Sequence, residues 1–419
     1  MKNITIIKGN IAYTKTLEKF EIHEDSFIVA KDGKIEGIYA DIPSKYRSFE
    51  IEDYGDRIII PGFVDLHVHA AQYMQSGIGM TRQLLEWLND YTYNLERKFQ
   101  DEEFAEMAYE AFADKLLSVG TLRSCIFASS STKGTQILFE ALRKKGLGAY
   151  VGKVNMDTNA PGFIIESTKN SIEGTKQLIE MYKGEGLVKP IITPRFAPTS
   201  TKGLLKELGD LAVKYGIPVQ SHVNENREEM EWVREIFPDN KSYIDVYDSN
   251  SLFGQTPTVM AHAIYLEEEE IEYMREKGVF IAHCPDSNIN VRSGIMPLRK
   301  YIDRGLKIGL GSDVAGGHKI GMNEAIVRAV QLSKILNIMD KSYRPVEFSE
   351  AFYIGTKGGG EFFGNTGSFE DGYSLDALVI EDEKAIAQNY SILDRLEKFI
   401  YTGDDRNICA RYVEGVKIG

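Results

Sequence analysis

Cysteine is scarce in this 419-residue chain. Cys125, Cys284 and Cys409 are far apart and odd in number, which excludes a disulfide framework and a Cys-x-x-Cys metal knuckle. They read as buried apolar residues, and their use fits a reducing compartment. No run of about 18 apolar residues occurs, so no membrane partner or span is expected. The opening MKNITIIKGN has no apolar segment of signal-peptide length, and a cytoplasmic protein is expected. Basic residues are in deficit, 49 against 62 acidic ones, for a formal charge of −13. Such a chain repels phosphate backbones, which argues against nucleic acid as a partner but leaves a neutral base open as a small substrate. Gly and Pro are too few and too scattered for collagen-like or low-complexity architecture.

What is present is ordinary globular composition, 43% hydrophobic and 26% charged, in a chain long enough for a large core and a satellite. The first 58 residues read as short strands, with Lys31-Asp32-Gly33 as a hairpin turn. The last 55 also read as strands, LDALVIED and NICARYVEGVKIG, after a glycine-punctuated loop. One small β-sandwich built from both termini, residues 1–58 plus 365–419, is expected. Between them, 59–364 alternates apolar runs with amphipathic stretches. Eight strand candidates are RIIIPGFVDLH, TLRSCIFA, AYVGKVNMD, KPIITPRF, IPVQSH, PTVMAH, GVFIAHC and LKIGLGSD. Several of the intervening helical stretches stop at Gly. An α/β fold follows, a (β/α)8 TIM barrel. No GxGxxG follows the first run, as an open dinucleotide-binding sheet would favour.

Four of the seven histidines sit at predicted strand ends, where barrels carry their chemistry. In PGFVDLHVHAAQ, alternation places Asp65, His67 and His69 on one face and Val64, Leu66 and Val68 on the other, toward helices. HxH alone is more often two hydrogen-bonded polar histidines in the barrel mouth than a metal site. In QSHVNEN, His222 ends a strand and Glu225 follows three residues later, either overhanging the pocket as a proton carrier or capping the next helix. His262 closes VMAH, and Asp313 follows the last strand in GLGSDVAGGH. His, His, His, His and Asp together at strand ends favour a metal site. Imidazoles with one carboxylate suit zinc, or ferrous iron, over calcium or magnesium. An open position on such an ion brings the pKa of water to roughly 7, which implies hydrolysis. His283 and Asn288 lie near the seventh strand end, His283 in a supporting or structural place. His23 and His318 read as surface or structural, and LEEEEIEY as an acidic helix start.

The segments PGFVDLHVH, QSH, AHAIYL, HCPDSN and GLGSDVAGG together resemble the amidohydrolase superfamily in its mononuclear deaminase branch. A finer resemblance, through HAAQY, LLEWLNDYTYNLE, VGKVNMD, PRFAPTS and SDVAGG, is to the guanine deaminase family, which has Pro where this chain has Ala71. The resemblance implies one Zn2+ per subunit, with Fe2+ as the alternative, on His67, His69, His222 and Asp313. It implies that Glu225 carries a proton to N3, that His262 hydrogen-bonds the attacking water and the adduct, and that Asp313 takes the water's proton. Gln72, Arg195 and Phe196 would bind the purine, and the barrel would pair as a homodimer. The activity implied is hydrolytic deamination of guanine to xanthine and ammonia, in purine catabolism or salvage. Arg is a natural donor fork for the O6 and N7 acceptors of guanine, and Arg195 interrupts an otherwise apolar strand.

The competing expectations are deaminases or chlorohydrolases of the same branch acting on other purines, pterins, pyrimidines or triazines. A binuclear dihydropyrimidinase-like site would need a bridging carboxylated Lys, and Lys153 lies one strand before the expected place. A barrel that only binds or assembles would be expected to have lost ligands, and none is missing. The small cytidine-deaminase-like design is excluded, since neither HxE nor PCxxC occurs.

Overall fold

The computed structural model describes residues 3–184 and 186–419. Both termini contribute to one seven-stranded sheet. Its order is Val416–Ile418, Ile408–Val413, Ala377–Ile380, Glu52–Pro61, Ile4–Thr14, Phe20–Lys31, Lys34–Tyr39. The hairpin after Lys31 turns on Asp32 and Gly33, both at positive φ (50° and 79°), the geometry that a two-residue turn between twisted strands needs. A Cβ on Gly33 would lie 2.7 Å from the Glu414 carbonyl oxygen, so the turn also needs glycine for close approach. The sheet rolls onto itself: Ile35 N–H donates to Tyr373 O and Leu375 N–H to Gly33 O, at 2.8 and 2.9 Å. The roll encloses Ile7, Ile11, Ile28, Ile59, Val379 and Tyr412.

The C-terminal portion also holds a helix that the strand reading passed over, Ile392–Thr402. Ser391 and Asp394 form a reciprocal cap at its start, and Ile392, Leu396, Phe399 and Ile400 are its buried stripe. Both signals are present in the sequence.

The middle of the chain is the barrel. Phe63–His69, Thr121–Phe127, Gly148–Gly152 and Val188–Pro190 pair in parallel in that order, as do Val219–Val223, Thr258–His262, Phe280–His283 and Lys307–Leu310. Ile192 bridges to Val219 between the two halves. Asp313 N–H donates to His67 O at 2.8 Å and His69 N–H to Val314 O at 3.1 Å, joining the eighth strand's extension to the first. The fourth strand is not the continuous KPIITPRF expected. It breaks after Pro190, and Thr193–Pro194 pairs separately with Val154–Asn155. Proline has no N–H to give to a ladder.

The strict alternation expected in the first strand also fails. Val64 and Leu66 cluster with Cys125, Ala261, Ala282 and Cys284, whereas Val68 packs in the main core with Phe63. The register with the second strand slips between Asp65 and Val68, an irregularity that redirects side chains. Helices Lys202–Tyr215 and Glu268–Lys277 stop at Gly216 and Gly278, both left-handed. Of the cysteines, Cys125 and Cys284 are buried as expected, but Cys409 is exposed because it sits on an outward position of its strand.

Candidate metal and purine site

Side chains from the ends of the first, fifth, sixth and eighth barrel strands meet around one point. Asp313 Oδ1 lies 3.1 Å from His67 Nε2 and 3.4 Å from His69 Nε2. The Nε2 atoms of His69 and His222 are 3.3 Å apart. His262 Nε2 stands 3.8 Å from Asp313 Oδ2 and 3.5 Å from Glu225 Oε2. All are buried. His67 Nε2 and His262 Nε2 have no hydrogen bond of good geometry although no water reaches them. Buried polar atoms are seldom left so, and inward-facing donors without partners are what an ion would satisfy. Burial and then the neighbouring histidines push His69 and His222 well below the usual imidazole range, so both lone pairs are available. Burial alone would raise Asp313, but the facing His67, His262 and His69 hold its carboxyl far below the ordinary range. The donors form two close groups that share His67, one with His69 and His222 and the other with His262, Asp313 and the Cys284 thiol, and imidazoles beside a carboxylate fit a transition metal. His262 and Asp313 have φ of 72° and 46°, a conformation that residues with a Cβ seldom adopt and that turns both side chains at the strand ends.

Two of the four imidazoles are held from behind, whereas His69 Nδ1 has no hydrogen-bond partner. His222 Nδ1 is 2.6 Å from the Arg195 carbonyl oxygen, and His262 Nδ1 is 2.8 Å from Asn288 Oδ1. Such partners fix which ring nitrogen faces the ion. Asp65 accepts from His67 N–H, Ser312 N–H and Ser312 Oγ at 3.0, 3.1 and 2.6 Å, and so ties the first strand to the loop that carries Asp313. Phe127 packs its ring 4.9, 4.6 and 5.0 Å from those of His67, His69 and His222.

Glu225 is not the helix cap. Asn226 caps Arg227–Ile236, and Glu229 closes the cap from the third position, accepting from Asn226 N–H and Glu225 N–H, each at 3.1 Å. Glu225 is thereby left to face the cavity, with Ser293 Oγ donating to it at 3.1 Å. Burial, then the charge of Asp313, pushes its carboxyl up to about 8.

One cavity is lined by His69, Gln72, Arg195, Phe196, His222, Glu225, His262 and Asp313. His67 stands behind Asp313 and does not line it. Leu84, Trp87 and Leu88 cover one side. They belong to the stretch expected as one amphipathic helix, here a run of short helical pieces over 84–100. Gln72 sits on the turn Ala70–Gln75 directly after His69.

Three residues escaped the sequence reading. Glu96 accepts from both Arg195 and Gln72, Phe127 backs the imidazoles, and Glu229 frees Glu225. Of these, only Glu229 had a local signal, the capping-box spacing from Asn226. His283 is buried beside the site with Nδ1 unpartnered, and burial pushes it down to about 3. His318 lies 4.0 Å from Asp286, away from the metal donors. Lys153 Nζ pairs with Glu166 and not with the histidine cluster.

The amidohydrolase family pattern matches residues 58–418. The chain belongs to the amidohydrolase family. Its similarity to characterised amidohydrolases spans the whole length. Guanine deaminase from Dictyostelium discoideum is 35% identical, over 100% of this chain and 98% of that protein. Guanine deaminase from C. acetobutylicum, solved with guanine bound in its active site, is 46% identical, covers both chains completely and superposes with a TM-score of 0.98. The E. coli enzyme is 31% identical over 99% of each chain, with a TM-score of 0.91. Among the described residues of this amidohydrolase, no helix is long and apolar enough to cross a membrane.

Proposed function

We propose that this amidohydrolase hydrolyses guanine to xanthine and ammonia. The observation that carries the reading is one cavity holding, side by side, the metal-donor cluster, a proton-bearing Glu225 and the purine-directed Arg195 and Gln72. The full-length likeness to guanine deaminases, one of them solved with guanine in place, supports it.

His67, His69, His222 and Asp313 would hold a single Zn2+ or Fe2+. When bound, the ion supplies Lewis-acid activation of water at neutral pH. Arg195 donates to the acceptor edge of the base, and Gln72 offers an amide to the same ring. Phe196, Trp87 and Leu88 exclude bulk water from the base. Glu225 holds a proton at neutral pH and gives it to N3, so that negative charge does not accumulate on the ring as water adds to C2. Asp313 accepts a proton from the attacking water. His262, aimed by Asn288, hydrogen-bonds the oxygen that has joined C2. Asp313 passes the water's proton to the 2-amino group, the C2–N bond breaks and ammonia leaves, while the hydroxyl on C2 becomes the carbonyl and its proton restores Glu225.

Lys153 is committed to Glu166, which supports one ion over a bridged pair. The three unpaired cysteines support a cytoplasmic setting, and a homodimer is proposed by analogy with the superfamily. The test is to follow guanine absorbance and ammonia release with metal-loaded protein, beside a panel of adenine, pterin, cytosine and triazine compounds. Turnover of guanine well above the others is expected. No guanine turnover at full metal content would reject the reading.

A further inference from the structure

Glu96 lies between the two side chains aimed at the base. Its Oε2 accepts from Arg195 Nη1 at 2.6 Å and its Oε1 from Gln72 Nε2 at 2.9 Å. All three residues are buried, none more than 3% exposed. Tyr93, three residues earlier on the same helical segment, sets its ring 5.1 Å from the Arg195 guanidinium carbon.

Two consequences follow from the chemistry of a carboxylate. It only accepts, so the NH2 end of Gln72 must face it, and the amide oxygen is turned toward Ala315 N–H, 3.4 Å away. The amide is therefore held in one orientation, with its remaining donor and acceptor in set places. The carboxylate also cancels the charge of Arg195. This wall of the cavity then offers directed N–H and C=O groups without a net positive field, in a place where water cannot screen one.

We infer that Glu96 is the positioning residue that makes the purine cavity select a neutral base over an anionic one. The inference rests on the purine reading above. Arg195 without this partner would be an uncompensated buried cation and would attract acidic purines, the more acidic product among them. Glu96 thus favours capture of a neutral amino-purine and release of what it becomes.

The test measures direct binding by titration calorimetry of two probes to the metal-loaded full chain: urate, an anion at neutral pH, and hypoxanthine, which is neutral. The wild type is expected to bind hypoxanthine more tightly. Glu96→Gln keeps the shape and an acceptor but removes the charge, and should shift the ratio of dissociation constants toward urate by about tenfold. It should also raise the guanine KM more than it lowers kcat, at unchanged metal content. Glu96→Asp keeps the charge and should retain the wild-type ratio. An unmoved ratio in Glu96→Gln, or an equal shift in Glu96→Asp, overturns the inference. Should Glu96→Gln fail to fold, urate binding to wild type as tightly as hypoxanthine overturns it. Absence of guanine turnover by the wild type overturns instead the reading it rests on.

Discussion

Arg195 serves the metal cluster and the purine wall at once: its backbone carbonyl stands 2.6 Å from His222 Nδ1, while its guanidinium donates to Glu96 at 2.6 Å. The two contacts come from different parts of one residue, so they can be separated experimentally. Replacing the side chain leaves the carbonyl, and with it the orientation of the imidazole, in place.

Arg195→Met is therefore expected to keep its metal and lose its grip on the base. The KM for guanine should rise, and kcat/KM should fall about 100-fold. The folded state should lose about 3 kcal/mol, because Glu96 is left as a buried unpaired charge. Metal analysis, steady-state kinetics and denaturant unfolding on one preparation check all three. Parallel loss of metal and activity would show that the side chain supports the ion site instead.

Glu225→Gln should retain metal and lose turnover by about 10²- to 10⁴-fold. Activity surviving nearly intact would remove Glu225 from proton transfer.

The pH profile follows from the same carboxyl, raised to about 8 by burial and Asp313. Its protonated form dominates below that value and disappears above it, so wild-type kcat/KM should decline as pH passes 8. Stability carries the same sign. The folded value lies above the unfolded value of about 4.3, so this group's favourable contribution is complete below that pH. It is lost as pH rises through about 8. Glu225→Gln cannot ionise, so its melting temperature should gain on the wild type between pH 6 and pH 9. An equal difference at both values would mean that burial does not raise this group.

Asn288→Ala removes the acceptor that aims His262. A fall in kcat of about 10- to 100-fold is expected with metal content unchanged, and Asn288→Asp, which keeps an acceptor, should recover most of it. A loss in Ala that Asp does not repair would point to packing rather than orientation.

Chelation should abolish activity, and readdition of zinc or ferrous iron should restore it at one equivalent per chain. Saturation at two equivalents would revive the bridged site that the Lys153–Glu166 pair argues against.

Much of this site can be read without coordinates because the relevant rules are local. A strand-length apolar run ending in HxH, QSH or MAH places its histidines at a strand end, and closure of eight such strands brings the ends together. The capping-box spacing of Asn226 and Glu229 likewise lies within one turn, as does the Ser391–Asp394 cap of the helix that the strand reading passed over. Other features are out of reach of any local pattern. Glu96 and Arg195 are 99 positions apart, and nothing near either one announces the other. The slip between Asp65 and Val68 arises from pairing with a neighbouring strand, so two-residue alternation could not foresee that Val68 would part from Val64 and Leu66. Periodicity is set by the backbone's own repeat and survives in the linear chain. Charge pairing and register depend on which segments the closed barrel brings into contact, and that exists only once the chain has folded.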